Sequence, residues 1–378
     1  MENKGMHDFK RSLTDFMNSL VDQGLVPGVD ISVFHKGHEV YRYMTGYSNI
    51  EEKRTISEHT LYNLYSNTKV ISCAAAMQLF ERGLFRLDDN LSDFFPEFEN
   101  AMVKTSEGEI KKAGNPIKIL DLFRMTSGIG DGTGLEELGA AFFKETGGSC
   151  PAFKLAGYLA AAPLLFEPGS KFFYGISHEL LAALIEKLTG LRFSEYLKKN
   201  IFEPLGMKNT AFALSECVSS DLATQYTYMG KDAPFRNEGA KNCLIPPFLR
   251  ESASGGLISS VSDYQRFQES LTKENVLLHK RTTDLMRLNH LTPPQMQTYS
   301  YADIGLGYGL GVQTVVDQAK NTSPIGFGPY GWGGAAGTFG SIDPDNKITI
   351  FYAQSAFQTN TLRTNTTIRN IVYTGLLS

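Results

Sequence analysis

Ser66-Asn67-Thr68-Lys69 is the stretch on which the reading of this chain turns. It lies where an extended, aromatic-rich run, Thr60-Leu61-Tyr62-Asn63-Leu64-Tyr65, gives way to an apolar helical pattern from Val70 to Glu81. A serine on the first turn of a helix and a lysine three residues later share one face, which brings an ammonium or amine beside the hydroxyl. A serine hydroxyl is a poor nucleophile until a neighbouring base takes its proton. Lysine can be that base where burial or another cation lowers its pKa. The same spacing recurs at Ser270-Leu271-Thr272-Lys273. One of the two pairs is a bystander, and only the surrounding sequence can say which.

Upstream of Ser66, apolar residues from Asp8 to Asp22 fall at helical spacing (Phe9, Leu13, Phe16, Met17, Leu20, Val21) and stop at Gly24. Gly28 to Phe34 and Glu39 to Met44 read as two strands joined by a turn at Lys36-Gly37. Downstream, Asp121 to Met125 and Ser177 to Leu188 have a helical period, with Gly190 as a stop. The final third changes character. Tyr308 to Val315, Thr338 to Ile342 and Lys347 to Gln354 read as strands, the last two joined by an Asp343-Pro344-Asp345-Asn346 turn, and Leu362 to Leu377 returns to helix. This order predicts an α/β (α+β) chain. Residues 1–85 and 215–378 build a sheet domain from both termini, and residues 86–214 form a mainly helical domain.

The bulk numbers narrow the function. At 378 residues, 42% apolar and 20% charged, the chain is an ordinary globular one. A formal charge of −4 without long basic runs gives no electrostatic footprint for nucleic acid or an anionic membrane. The charged N-terminus has no signal-peptide pattern, and the apolar run Leu155 to Phe166 is too short to span a bilayer, which takes about 20 residues. The expected location is therefore cytoplasmic. Cys73, Cys150, Cys217 and Cys243 form no CxxC pair and no pattern with histidine, so no metal site is expected. No serine sits in Gly-x-Ser-x-Gly and no histidines form HExxH, which sets aside an α/β-hydrolase elbow and a zinc protease.

Three other stretches bear on Ser66. Tyr174, in Phe173-Tyr174-Gly175-Ile176-Ser177, precedes a helix and could present its phenol to a cleft as a general base; the alternative is one of 17 packed tyrosines. His178, close by, is a candidate cleft residue, against the alternative of a helix-start residue with a solvated ring. Tyr330-Gly331-Trp332-Gly333-Gly334-Ala335-Ala336-Gly337 places glycines around the one tryptophan, so that backbone N–H groups can approach a ligand; the alternative is a turn before a hairpin. Ser252-Ala253-Ser254-Gly255-Gly256-Leu257-Ile258 reads as a tight structural turn with no chemistry assigned.

Ser66-Asn67-Thr68-Lys69, Tyr174 and Trp332-Gly333-Gly334 resemble, in order, the three boxes of the serine β-lactamase and penicillin-binding-protein-like superfamily, in its class C-like form. Met77 to Gly83, Leu122 to Gly128, Ile201 to Met207, Gly255 to Ile258 and Tyr308 to Gly311 stand in place as supporting segments, so the match runs from about residue 28 to the last helix. The resemblance picks Ser66 over Ser270, which is left as a surface residue late in its helix. It implies an antiparallel sheet flanked by helices with a helical second domain, and an active site in the cleft between the two domains. Two departures matter. The third box has Trp332 where a lysine would help to hold a substrate carboxylate. The second box has Ile176 where class C enzymes place an asparagine. Both features are similar to the family VIII carboxylesterases of the EstB type, and they point to neutral esters.

The implied reaction is acyl transfer. Ser66 is the nucleophile, Lys69 and Tyr174 share the proton-accepting role, and the backbone N–H groups of Ser66 and Ala335 form the oxyanion hole. Trp332, Gly333, Gly334 and His178 line the substrate, and Trp332 stacks on it. No cofactor or metal is called for. The partner is a small-molecule ester or amide, not nucleic acid or membrane, and the oligomeric state is open. Three rivals stand beside the esterase: a β-lactamase or D-amino-acid peptidase, an acyltransferase that hands the acyl group to an alcohol, and a silent penicillin-binding sensor module.

Overall fold

The computed structural model describes residues 2–130, 135–147, 151–212, 221–231, 233–244 and 251–377; Cys150 and Cys217 lie outside them. The expected antiparallel sheet flanked by helices is what the chain forms. Its main sheet has eight strands: β1 (Gly28–His35), β2 (His38–Asn49), β3 (Arg54–Thr55), β4 (Leu306–Tyr308), β5 (Gln313–Val315), β6 (Tyr330–Gly333), β7 (Phe339–Asp343) and β8 (Ile348–Ala353). They lie side by side in the order β4-β5-β6-β7-β8-β1-β2-β3. Every neighbouring pair is antiparallel, and β8 joins the strands from the two ends of the sequence by pairing with β1, Asp30 opposite Ala353.

Successive residues of a strand point to opposite faces, and the sheet uses both. Ile348, Ile350 and Tyr352 of β8 join Val29, Ile31 and Val33 in one buried cluster, while Phe351 and Ala353 belong to the other. The first cluster is covered by α1 (Glu2–Asp22), whose Phe9, Leu13, Met17 and Leu20 are buried at helical spacing, and by the last helix of the chain, Thr361–Leu376. The opposite cluster holds α2 (Thr68–Glu81), α3 (Ser177–Thr189) and α4 (Val261–Thr272); the last helix is called α5. Trp332 packs against both clusters, because it stands near the end of β6 where the two layers meet.

Two sequence expectations are corrected. Tyr308 to Val315 is two strands, Leu306 paired with Val315 and Tyr308 with Gln313. The chain must turn there: a Cβ on Gly309 would lie 2.1 Å from the Met286 carbonyl oxygen, and Gly311, at φ +77°, passes Cys73 too closely for any side chain. Ser270 is not on the surface. It is buried in α4 with its Oγ donating to the Phe267 carbonyl at 2.6 Å, which leaves it no role as a nucleophile in the cavity at Ser66.

Candidate active site

The nucleophile turn is built against strain. The short strand Leu61–Asn63 ends at Leu64, and Tyr65 then takes φ +46°, a left-handed conformation that a bulky residue adopts only when its surroundings impose it. The Tyr65 hydroxyl, bonded to Gln225 Oε1, supplies part of that constraint. Ser66 follows inside a single 3-10 turn, Tyr65–Asn67, that runs directly into α2. Its neighbour Asn67 is fully buried: Nδ2 donates to Thr338 Oγ1 at 2.8 Å, and Tyr264 Oη donates to the Asn67 carbonyl at 3.0 Å. Thr338 Oγ1 donates in turn to the Leu64 carbonyl at 3.1 Å, which stitches the β6–β7 turn to the nucleophile turn. Gly334 sits at that seam. A Cβ there would come within 2.4 Å of Leu64 O and 2.2 Å of Thr338 Oγ1, so the third box needs glycine at this position.

Lys69 is 3% exposed, with Nζ 3.4 Å from Ser66 Oγ and 2.6 Å from the Ser254 carbonyl oxygen. The Nζ also lies 4.7 Å from the centroid of the Tyr174 ring, so one buried nitrogen touches the nucleophile, a fixed carbonyl and an aromatic face. Tyr174 precedes α3 and is over a third exposed. Trp332 stacks on it, centroids 5.3 Å apart, and donates its indole N–H to Tyr174 Oη at 2.8 Å. That bond occupies one face of the phenol oxygen and leaves its remaining capacity directed elsewhere. A substrate-stacking role was expected of Trp332; in the structure its partner is Tyr174.

Ala335 is exposed on the turn after β6. Gly334 N–H bonds to the Thr338 carbonyl and Gly337 N–H to the Gly334 carbonyl. The N–H groups of Ala335 and Ser66 have no protein acceptor among the described residues. Both residues line one cavity of about 580 Å³, with Tyr174, Trp332, Phe172 and Tyr299 forming an aromatic wall.

His178 departs from both of its expected roles. The ring is fully buried, with Nε2 3.2 Å from the Phe123 carbonyl oxygen and 3.6 Å from Cys73 Sγ, so it is neither solvated nor part of the cavity wall. Burial, with the Lys69 charge behind it, pushes its pKa down to about 3. It is a neutral core imidazole packed behind the site.

The residues the sequence reading missed are those that hold Lys69. Glu179, 2% exposed, accepts hydrogen bonds from Ser252 Oγ at 2.6 Å and from the Ala253 and Ser254 N–H groups at 3.0 Å each. Ser72 Oγ on α2 donates to the Ala253 carbonyl at 2.8 Å. The turn assigned no chemistry is thus clamped from both sides, and the clamp aims the Ser254 carbonyl at Lys69. Burial pushes the Glu179 carboxyl above its ordinary range, against the pull of these donors. The signal was present: a lone carboxylate at the head of the apolar run Leu180 to Ile185.

A serine turn at the mouth of a helix, backed by an antiparallel sheet and faced by a helical layer, belongs to the β-lactamase/transpeptidase fold. The chain belongs to the Beta-lactamase family, whose model matches residues 13–373. Esterase EstB of Burkholderia gladioli is 27% identical over 355 residues, 87% of this chain and 85% of its own. A putative D-alanyl-D-alanine carboxypeptidase of Escherichia coli is 24% identical over 364 residues, 89% of this chain and 79% of its own. EstCE1, described as a hydrolase with promiscuous acyltransferase activity, shares the fold with a TM-score of 0.79 at 24% identity, over 98% of this chain and 99% of its own.

Proposed function

We propose that this chain hydrolyses carboxylic esters through a covalent acyl-enzyme on Ser66. The observation that carries the reading is the position of Lys69 Nζ, buried between Ser254 O, Ser66 Oγ and the Tyr174 ring. Ser66 Oγ bonds to the ester carbonyl carbon while its proton passes to the Lys69–Tyr174 pair. The Ser66 and Ala335 N–H groups receive the oxyanion; one such donor is worth about 3–4 kcal/mol in serine hydrolases. The C–O bond to the alcohol then breaks, the alcohol leaves with the proton, and water repeats the sequence to release the acid and free Ser66.

Two features favour an ester over a lactam or peptide. Ile176 packs against the apolar core, so the second box presents no amide to a substrate amide. The third box supplies an indole bonded to Tyr174 in place of a cation. The similarity to EstB supports the same side. Wild type and Ser66→Ala are compared on 4-nitrophenyl butyrate, nitrocefin and a D-Ala-D-Ala peptide. Ester turnover confined to wild type is expected. Turnover that survives Ser66→Ala rejects the mechanism, and nitrocefin or peptide turnover far above ester turnover rejects the substrate class.

A further inference from the structure

The cavity at Ser66 does not stop at its aromatic wall. It continues past Thr338 and Phe339 to Asn365 and Arg369 on α5. Arg369 is 8% exposed, and its Nε is buried without a hydrogen-bond partner among the described residues. Its guanidinium carbon stands 5.4 Å from the centroid of the Phe339 ring, and no carboxylate among the described residues pairs with it. Asp343, which Tyr373 reaches from the same helix, is occupied by Tyr373 Oη, Asn346 Nδ2 and two backbone N–H groups. Asn365 also has a buried side-chain oxygen with no partner among the described residues, and the two ends of an amide exchange by rotation. An uncompensated buried cation is costly to a fold. Desolvation draws the Arg369 pKa down only to about 10, so the group stays charged at neutral pH.

We propose that the ester substrate carries a carboxylate remote from its scissile bond, seated on Arg369 with Asn365 beside it. The planar guanidinium fork matches a carboxylate, and Phe339 on one face leaves the N–H edge for the ligand. The inference rests on the ester-hydrolase reading of Ser66 and names its substrate class. It also relocates the missing charge: the third box holds no cation because the cation lies farther along the same cavity.

The test pairs anionic with neutral substrates. 4-Nitrophenyl hemiesters of glutarate, adipate and suberate are compared with their methyl-capped counterparts, which places the carboxylate on the acyl side. 4-Carboxyphenyl butyrate compared with its methyl ester places it on the alcohol side. In one arm wild type is expected to favour the anionic member by roughly tenfold to a hundredfold in kcat/KM, mainly through KM. Arg369→Met is expected to erase that ratio while melting at or above the wild-type temperature, and Arg369→Lys to restore part of the ratio. No anionic preference in either arm overturns the proposal, as does a preference that Arg369→Met leaves intact. Should Arg369→Met fail to fold, adipate is titrated against Ser66→Ala: a rise in melting temperature that adipamide does not produce supports the proposal, and equal responses overturn it. Neutral-ester turnover that survives Ser66→Ala would instead defeat the ester-hydrolase reading itself.

Discussion

The two ends of the cavity treat polar groups in opposite ways. At the reaction centre the protein satisfies its own chemistry: Lys69 has Ser254 O, Tyr174 Oη has the Trp332 indole, and Glu179 has three donors. At the far end, Arg369 Nε and Asn365 Oδ1 are buried with no partner among the described residues. The first arrangement is preorganisation, in which groups that must act on a carbonyl are already aligned and need no rearrangement during the reaction. The second leaves hydrogen-bonding capacity that the proposed carboxylate would use. In the proposed reaction, the contrast separates residues that would act on the ester carbonyl from residues that would select the ester.

Mutation at the reaction centre tests this arrangement. The largest expected effect is at Lys69: Lys69→Ala removes the group bridging nucleophile, carbonyl and tyrosine, and kcat for a 4-nitrophenyl ester falls by on the order of 10⁴. Trp332→Phe keeps the stacked ring and deletes the N–H on Tyr174 Oη. A loss of about tenfold to a hundredfold in kcat with little change in KM is expected, and an unchanged kcat would return Trp332 to a substrate-stacking role.

Glu179→Gln tests the clamp. The amide nitrogen takes the place of one carboxylate oxygen and faces either the Ala253 or the Ser254 N–H group, donor against donor, so stability falls by about 2–3 kcal/mol in urea unfolding, and kcat falls with it as Ser254 O loses its aim at Lys69.

His178 gives a pH-dependent effect. Its folded pKa, about 3, lies below the ordinary 6.5, so the unfolded chain takes up the proton first. Its contribution to stability is complete above 6.5 and is lost as pH falls from 6.5 towards 3. Relative to His178→Gln, wild type should lose about 1.4 kcal/mol per pH unit in that window. Buried Glu179 has the opposite sign, its raised pKa favouring the folded state as pH falls towards 4.5, so the variant difference is the measurement that isolates His178.

Sequence reading located Ser66, Lys69, Tyr174 and Trp332 because each lies in a short local pattern: a helix mouth, a helix-leading loop, a glycine-rich turn. The chain brings all four to one cavity or its buried back wall. Strand-forming segments were read near both ends of the sequence, and β1 and β8 from those ends pair; the order of the strands was not read. What escaped was set by contacts across long separations. Glu179 meets Ser252 some 73 positions away, and Lys69 meets Ser254 at 185. The burial of His178 and Ser270 reflects helices covered on several sides, whose polar residues satisfy themselves on nearby backbone carbonyls. Gly309 and Gly311, read as part of one strand, were the visible sign of a turn that only neighbouring backbone could demand.

The central claim is a covalent acyl-enzyme on Ser66. Rapid mixing with a 4-nitrophenyl ester, acid quench and peptide mass spectrometry tests it directly. The account predicts an acyl adduct on the peptide containing Ser66, formed with a burst of nitrophenol and absent in Ser66→Ala. An adduct on another residue, or a burst that persists in Ser66→Ala, would contradict it.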